Sequence, residues 1–384
     1  MNHLIVARKY RPVKFSDISS QEHITVTLQN AIRTGRIAHG YIFSGSRGVG
    51  KTTAARILAK ALNCEKIISD ATFRNLAEPC NNCKSCTDFD EARSLNIFEF
   101  DGASNNGVDD IRDLRENVRY APQHGNYRVF IIDEFHMLTN QAFNAFLKTL
   151  EEPPAHAVFI LATTELHKVP LTVASRCQKF IFRRIPSEDI HRVLKSICQK
   201  EHVLVEDGAL ALIAQKSDGA LRDAQSILEQ IISFNSDHSE VITLKSVSEI
   251  LNTIDIDYFF QVTQAIIEKS IQKQIEIAHW VYENGYDAAY FISELIKHIR
   301  NFLICKTVKS PKLIEGTAES KNRYIKESEF FSVEVIYPMI DFLVSVEQDL
   351  KYTHNAFLRL ELALIKLIDI FNFPVQSNQK INKS

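Results

Sequence analysis

Eight consecutive residues near the start of the chain have the types and spacing of a phosphate-binding loop. In such loops, glycines let the backbone curl until its N–H groups point at phosphate oxygens, and the N-terminus of the next helix adds a favourable dipole. The lysine reaches the outer phosphates and the hydroxyl residue after it binds Mg²⁺. The full pattern G-x-x-x-x-G-K-[ST] is present as Gly45, Ser46, Arg47, Gly48, Val49, Gly50, Lys51 and Thr52. We therefore predict a site for a nucleoside triphosphate with Mg²⁺, and a chance glycine-rich turn is the alternative.

Two acidic residues, Asp133 and Glu134, follow four apolar residues further along the chain. This Walker B pattern predicts that Asp133 holds Mg²⁺ and that Glu134 orients and polarises the attacking water. Acids at the end of a buried strand are common in proteins of every function. The interpretation therefore depends on the phosphate loop that precedes them.

Four of the seven cysteines are crowded into residues 64–86. Cys80, Cys83 and Cys86 form a C-x2-C-x2-C cluster, and Cys64 supplies a fourth thiolate. Because four thiolates complete a tetrahedral Zn²⁺ site with no open position, we predict a structural zinc site. An iron–sulfur cluster and four unliganded cysteines are the alternatives. Three isolated cysteines are typical of small core residues: Cys177, Cys198 and Cys305.

Three weaker candidates cannot be assigned a role from spacing alone. A polar pair, Thr163 and Thr164, ends an apolar run, and its hydroxyls could lie beside a γ-phosphate. A simple strand cap is the preferred interpretation of that pair. Arg176 and Arg222 are single basic residues, and a single arginine is usually a surface charge.

The elements that must position these residues alternate between strands and helices. Apolar residues at helical spacing lie between the strand patterns, as at Ala54, Ile57 and Leu58. This βαβα order predicts an α/β fold with a mostly parallel sheet covered by helices on both faces. Five short apolar runs predict the buried strands: 41–43, 97–100, 129–132, 158–161 and 180–182.

The second half of the chain has a different, helical pattern. Strand patterns end after about residue 183, and Ser187 is the predicted N-cap of a helix through Cys198. Helical spacing is continuous from about residue 244. The stretch 352–371 is apolar around so much of its circumference that we expect it to pack on several sides, against neighbouring helices or another subunit.

Composition and charge exclude several classes of protein. Hydrophobic residues are 45% and charged residues 24% of the 384 residues, which excludes a chain that is mainly disordered or collagen-like. The 45 Lys+Arg and 47 Asp+Glu give a formal net charge of -2, which argues against a polybasic coat. No apolar run approaches the ~18 residues of a membrane span, and the N-terminus lacks a secretory pattern. We expect a cytoplasmic protein without a membrane partner.

Taken together, these motifs resemble the gamma/tau subunits of the bacterial DNA polymerase III clamp loader, which are AAA+ ATPases. The resemblance covers roughly residues 4–230, and the helical remainder agrees only in general pattern. Its segments are 7–12, 21–23, 45–52, the four-cysteine insertion, 120–122, 133–138, 143–154, 175–177 and 221–224.

The resemblance implies a division into domains. An AAA+ ATPase core would occupy 1–182, with the zinc-binding insertion at 64–86. A small helical lid would follow at 183–243. An all-helical collar at 244–373 would join subunits into a pentamer, and 374–384 would be a polar tail.

The resemblance also assigns roles to the weaker candidates. Thr164, with Thr163 as the alternative, corresponds to the sensor 1 residue. Arg222 corresponds to sensor 2 and contacts the nucleotide of its own subunit. Arg176 corresponds to an arginine finger that completes the ATP site of a neighbouring subunit. The four clustered cysteines correspond to zinc ligands, and the nucleotide-binding set also includes Ala7, Arg11 and Thr53.

The function that this resemblance implies is an ATP-driven motor that opens the sliding clamp and loads it onto primed template DNA. Its partners would be the delta and delta-prime subunits, further copies of itself, the sliding clamp and primer–template DNA. We expect no nucleotidyl-transfer site in this chain. The chain stops soon after the expected collar, so we also expect the short-form activity, which is clamp loading without polymerase tethering.

Three other functions are weighed against this one. A branch-migration helicase is disfavoured by the Ser175-Arg176-Cys177 motif and the four-cysteine insertion. A structural subunit that does not hydrolyse ATP, like delta-prime, is disfavoured by the intact phosphate loop. A zinc-dependent nucleic-acid-binding module is poorly supported by one four-thiolate site inside a phosphate-loop domain.

Overall fold

The structure, a computed structural model, describes residues 6–123, 125–234, 241–308, 313–314, 318–353 and 355–372. The polar tail predicted for 374–384 lies outside the described residues. The chain divides into two compact units, residues 1–247 and residues 248–384. Each unit has its own apolar core.

The first unit is built on a five-stranded sheet in which every neighbouring pair of strands is parallel. All five predicted strands are confirmed, and their order in the sheet is β2-β3-β4-β1-β5. The strands are β1 Gly40–Ser44, β2 Ile97–Asp101, β3 Arg128–Asp133, β4 Ala157–Thr163 and β5 Gln178–Ile181. Because the strands are parallel, their carboxyl ends lie at one edge of the sheet.

Helices precede the first strand, connect the strands and follow the last one. The bounds are α1 Val6–Lys9, α2 Glu22–Thr34, α3 Lys51–Leu62, α4 Glu65–Ser69, α5 Ala71–Arg74, α6 Lys84–Asp90, α7 Val108–Val118, α8 Asn140–Glu151, α9 Leu171–Ala174, α10 Ser187–Glu201, α11 Asp207–Lys216, α12 Leu221–Phe234 and α13 Leu244–Ile250. Short 3₁₀ helices occupy Phe15–Asp17, Phe135–Met137 and Leu166–Lys168.

Both faces of the sheet are buried, as the strand patterns predict. Alternate residues of a strand point to opposite faces. In β3, Val129 and Ile131 join an apolar cluster with α2 and α3, whereas Phe130 and Ile132 join a cluster with α7 and α8. The predicted α/β fold with helices on both faces is therefore confirmed.

The predicted N-cap of α10 is wrong by one residue. The helix begins at Ser187 itself, and Pro186 occupies the cap position, with φ −55° and ψ 143° and no side-chain cap hydrogen bond. The helix N-terminus is instead stabilised by Glu188 and Asp189 in the first turn, whose negative charges interact favourably with the positive end of the helix dipole.

The second unit is all helical among its described residues. Its further helices are α14 Ile256–Ile267, α15 Ile271–Glu283, α16 Ala288–Thr307, α17 Ala318–Ser328, α18 Val333–Leu350 and α19 Ala356–Asn372. The apolar stretch predicted at 352–371 forms α19, which contacts α14, α15, α16 and α18. The expectation of packing on several sides is confirmed, although Leu358 and Leu362 remain about half exposed, at 47% and 51%.

Within the described part of the chain, the helices are all too short or too polar to cross a bilayer.

Candidate functional site

The phosphate loop lies between the carboxyl end of β1 and the start of α3, at the edge where the parallel strands end. Gly45 has φ +151° and Gly48 has φ +76°, which L side chains rarely adopt. A Cβ on Gly45 would lie 2.5 Å from the carbonyl oxygen of Phe182, and one on Gly48 would lie 2.9 Å from Cβ of Ala220. Glycine is therefore required at both positions by the backbone conformation and by close neighbours.

Lys51 and Thr52, the first residues of α3, point into this edge. The Lys51 ammonium donates hydrogen bonds to the carbonyl oxygens of Gly45 at 2.9 Å and Ser46 at 2.8 Å, so the loop curls around it. The Thr52 hydroxyl donates to Oδ2 of Asp133 at 2.7 Å. The two residues predicted to bind Mg²⁺ are thus adjacent, and they present the hard oxygen ligands that this ion prefers.

Glu134 follows Asp133 in a strained conformation that directs its carboxylate along the same edge. Its φ of +44° is unusual for a non-glycine residue. Its Oε2 accepts a hydrogen bond from the Thr164 hydroxyl at 3.2 Å and lies 3.4 Å from Nδ1 of His136. Thr163 is fully buried, and its hydroxyl oxygen lies 3.1 Å from the same His136 nitrogen. Of the predicted sensor pair, Thr164 is the residue that contacts Glu134.

These elements enclose a cleft of about 500 Å³, a volume typical of small-molecule sites. Positive side chains from three separate segments line it: Arg11, Arg47, Lys51 and Arg222. The backbone N–H of Arg222, in α12, also donates to the carbonyl oxygen of Gly48 at 3.5 Å. Such a cleft has the donors and charges that a nucleoside triphosphate requires.

The cations in the cleft are partly removed from water. Burial lowers the pKa of Lys51, although the carboxylates of Glu134 and Asp133 oppose that effect. Burial also lowers the pKa of Arg11, and the nearby positive charge of Arg56 adds to that effect. Both groups are therefore held in a setting where a bound anion would be favoured.

The other residues predicted to bind nucleotide are found at or near this cleft. Those that line it directly are Ala7, Gly48, Val49, Gly50, Lys51, Thr52 and Thr53. Gly45 and Ser46 do not line it but hold Lys51 through their carbonyl oxygens.

Arg176 lies elsewhere, because it does not line the cleft of its own chain. Its guanidinium donates to the carbonyl oxygen of Thr172 at 2.6 Å and to Oε1 of Glu151 at 2.8 Å. Its side chain is 36% exposed. It is therefore accessible, and its predicted role toward a neighbouring subunit stays a prediction.

The four clustered cysteines come together as one group. Their sulfur atoms all lie within 4.8 Å of one another. Zn–S bonds of ~2.3 Å in a tetrahedron place neighbouring sulfurs about 3.8 Å apart, so the group fits a zinc ion with small adjustments. The sequence between Cys64 and Cys80 forms α4 and α5, and Cys83 precedes α6, which carries Cys86.

Hydrogen bonds within the cysteine cluster favour thiolate at one position. The backbone N–H of Cys80 donates to Sγ of Cys64 at 3.4 Å, and that of Cys83 donates to Sγ of Cys80 at 3.3 Å. The hydrogen bond from Cys86 is the largest effect, and it lowers the pKa of Cys64 to about 4. Thiolates are the form that binds metal, so the cluster suits a soft cation.

Sequence reasoning missed several residues of this site. Asp101 ends β2 beside Asp133, and an acid after a buried strand is a signal that could have found it. His136, between Glu134 and Thr163, had no such signal, because its neighbours are brought together only by the fold. Further lining residues also went unpredicted: Ile18, Ser19, Ala103, Ile185, Leu221 and Gln225.

Three family models match successive parts of the chain. The family described as "DNA polymerase III, delta subunit" matches residues 20–186. The "DNA polymerase III clamp loader subunit, ATPase lid domain" family matches residues 189–237. "DNA polymerase III subunits gamma and tau domain III" matches residues 242–381.

Curated relatives match over most of the chain. The DNA polymerase III subunit tau of Bacillus subtilis is 40% identical over 367 residues, which are 96% of this chain and 63% of that protein. The Escherichia coli tau subunit is 41% identical over 77% of this chain and 44% of its own length. The chain therefore spans less than two thirds of these two relatives.

A third relative matches along its whole length, and a solved structure matches more distantly. The DNA polymerase III subunit gamma of Buchnera aphidicola subsp. Baizongia pistaciae is 34% identical over 98% of this chain and 99% of its own. The RuvB Holliday junction branch migration motor of Thermotoga maritima is 18% identical, with a TM-score of 0.48 over 67% of this chain and 80% of that one. On the relatives and the gamma/tau domain III match, the chain belongs to the family of bacterial DNA polymerase III gamma/tau subunits.

Proposed function

We propose that this chain is the ATP-driven motor subunit of a clamp loader, which opens a sliding clamp and loads it onto primed template DNA. The observation that carries the proposal is the convergence of Lys51, Thr52, Asp133 and Glu134 at one edge of the sheet, in a chain of the gamma/tau family. The relatives favour this function over a branch-migration helicase. The intact phosphate loop disfavours a subunit that only supports the assembly.

The chain's own residues would bind ATP from several sides. The N–H groups of the loop and the dipole of α3 would hold the phosphates, and Lys51 would neutralise the outer ones. The segment 7–12, which includes Ala7 and Arg11, would lie against the adenine. Arg222 would contact the nucleotide from α12, so that the predicted lid senses its presence.

The carboxylates would then divide the chemical work. Thr52 and Asp133 would hold Mg²⁺, which when bound neutralises charge on the phosphate oxygens. Glu134 would accept a hydrogen bond from the attacking water and orient it. Thr164, with Thr163 as the alternative, would act as sensor 1, and its present bond to Glu134 would position that carboxylate.

Zinc would have a structural role at the four-cysteine group. Cys64, Cys80, Cys83 and Cys86 would hold it, and four sulfur ligands leave no position for a substrate. Its contribution would be to stabilise the insertion at 64–86, because metal binding to preformed ligands adds to folding free energy.

The assembly would complete the motor. We propose an ATPase core at 1–182, a lid at 183–243 and a collar at 244–373 that joins subunits. The partners would be delta, delta-prime, further copies of this chain, the sliding clamp and primer–template DNA, in the cytoplasm where the chromosome is copied. Arg176 would reach the γ-phosphate of a neighbouring subunit and neutralise charge in the transition state.

The test is ATP hydrolysis by the reconstituted assembly, with and without sliding clamp and primed DNA. We expect hydrolysis that rises when both are present. Lys51→Ala should reduce it at least about 100-fold, because a preorganised charge on the phosphates is lost. Lys245→Ala, which removes an exposed lysine outside the cleft, is the matched control. Undiminished hydrolysis by folded Lys51→Ala protein would exclude this cleft as the active site.

A further inference from the structure

The four-cysteine insertion holds the backbone of the N-terminal segment, residues 11–19, through one carboxylate. Glu78, two residues before Cys80, accepts a hydrogen bond from the N–H of Phe15 at 2.7 Å and from the N–H of Ser16 at 2.9 Å. It also accepts one from Nε2 of Gln29, in α2, at 2.9 Å. The two N–H groups lie in the first turn of a 3₁₀ helix, where they have no partner within the helix. Glu78 therefore supplies acceptors that the segment does not have itself.

A second contact comes from the turn between Cys80 and Cys83. Asn81 donates from Nδ2 to the carbonyl oxygen of Val13 at 3.3 Å. Its φ of +60° is a left-handed conformation, in which asparagine is better tolerated than most residues. Cys80 and Cys83, the neighbours of this turn, thus fix the position from which Asn81 reaches the segment.

The contact has an apolar layer beneath these hydrogen bonds. Phe15 is 1% exposed, and it belongs to the same buried cluster as Cys64, Ala77 and Cys86. The insertion and the segment therefore share a core, so a shift of one would move the other.

Residues 13–16, which carry these contacts, are flanked on both sides by residues that line the nucleotide cleft. Arg11 and Pro12 precede the anchored residues 13–16, and Ile18 and Ser19 follow them. Because only a few residues separate each anchor from the cleft, the anchors fix the backbone of both walls.

We infer that Glu78 and Asn81 are positioning residues for the nucleotide, and that the four-cysteine insertion serves to hold segment 11–19 in place against it. The inference rests on the proposed function, since it deepens the account of the same cleft. Neither residue lines the cleft or contacts the residues assigned to hydrolysis. They set how well the cleft is formed before ATP arrives, and so they set affinity, whereas Glu134 sets turnover.

The test compares Glu78→Ala with Asp70→Ala. Asp70 is a matched control in the same insertion, because its carboxylate accepts hydrogen bonds from Thr72 and Phe73, in the helix that it caps. The readouts are the Kd of a fluorescent ATP analogue, the KM and kcat of the assembly, and the metal content per chain. We expect Glu78→Ala to raise Kd and KM on the order of tenfold, because two backbone donors lose their acceptors. Its kcat and its metal content should stay near those of the unmodified protein.

Two further variants keep the inference open to refutation if Glu78→Ala folds poorly. Glu78→Gln keeps one acceptor oxygen but turns an amide toward the other donor, so its Kd should be intermediate. Asn81→Gly tolerates the left-handed backbone and removes only the bond to Val13, so it should also weaken binding. Asp70→Ala should change Kd by at most about twofold.

The outcomes separate the inference from the function it rests on. Unchanged Kd and KM in folded Glu78→Ala and Asn81→Gly proteins, together with tight binding by the unmodified protein, would overturn the inference and leave the proposed function intact. A fall in kcat without a rise in KM would also overturn it. An unmodified protein that does not bind the analogue would contradict the proposed function itself.

Discussion

Acidification should destabilise the second unit through one buried histidine. His298, in α16, is 2% exposed, and its Nδ1 lies 2.8 Å from the hydroxyl of Tyr324. Its Nε2 is buried without a hydrogen-bond partner among the described residues. Burial, assisted by the nearby positive charge of Arg323, lowers the pKa of His298 to about 3. The folded unit therefore holds this imidazole neutral at pH values where an unfolded chain would protonate it.

The magnitude follows from the difference between the two pKa values. An unfolded histidine has a pKa of about 6.5. Above that pH neither state is protonated and the histidine imposes no penalty. Between about 6.5 and about 3, only the unfolded state takes up the proton, so stability falls by about 1.4 kcal/mol for each pH unit. From pH 7 to pH 5, His298 alone should cost about 2 kcal/mol of unfolding free energy.

Urea unfolding followed by tryptophan fluorescence measures this unit directly. Trp280 is the single tryptophan of the chain, and it packs against the core that contains His298's neighbours Phe260 and Phe302. Its ring stacks on Tyr258 with the centroids 3.5 Å apart. The unfolding free energy should be measured at pH 7 and pH 5 for the unmodified protein, for His298→Asn and for His279→Asn. His279, an exposed histidine of the same unit, is the control.

The comparison is between slopes with pH, so a lower baseline stability of His298→Asn does not obscure it. We expect that variant to lose most of the decline of about 2 kcal/mol, whereas His279→Asn should retain it. If His298→Asn declined with pH as steeply as the unmodified protein, the buried neutral imidazole would not be the cause, and the reasoning would be refuted.

Three further predictions concern the candidate sites. Glu134→Gln should bind ATP with an affinity within a few-fold of normal but hydrolyse it at least about 100-fold more slowly, measured by equilibrium binding and by ATPase assay; loss of binding would contradict its assigned role. Arg176→Ala assemblies should bind ATP, and their hydrolysis rate should fall about 10³-fold. Mixing them with Lys51→Ala chains should restore part of the hydrolysis. Absence of recovery despite subunit exchange would exclude an arginine finger that acts between subunits. Metal analysis should find one zinc per chain. Cys83→Ser should lower the zinc content and weaken ATP binding with little change in kcat. Iron with acid-labile sulfide would refute the zinc assignment.

Much of the first unit could be predicted from the sequence because its signals are local. The five strands are short apolar runs, and the phosphate loop is one continuous motif whose glycines are required by positive φ. Asp133 follows its strand directly, so its position at the sheet edge was also predictable. The order of the strands was not, because it depends on which edges pair after the helices have packed.

The residues that were missed act across long distances in sequence. Glu78 contacts a segment more than sixty residues earlier, and nothing in its neighbourhood distinguishes it from a surface acid. His136 lies close to both Glu134 and Thr163 only because β3 and β4 are neighbours in the sheet. Arg222 was singled out by resemblance and not by spacing, since a single arginine has no periodic signal. Pairwise contacts between distant residues are the information that one sequence does not display.

The N-terminal segment is the place where these distant contacts meet. Its first helix, α1, is tied to the predicted lid by the N–H of Val6, which donates to Glu229 at 3.1 Å, and by Lys9, which pairs with Glu201. The Lys9 pair is exposed, and exposed ion pairs contribute little because water and salt screen them. Glu78 accepts from the backbone N–H groups of Phe15, in a partly buried bond, and of Ser16, in an exposed one, so both donors are fixed by the chain itself. The segment is therefore held from two sides, by Glu78 of the insertion and by Glu229 and Glu201 of the predicted lid, and the partly buried bonds of Phe15 and Val6 contribute more to that hold than the exposed Lys9 pair.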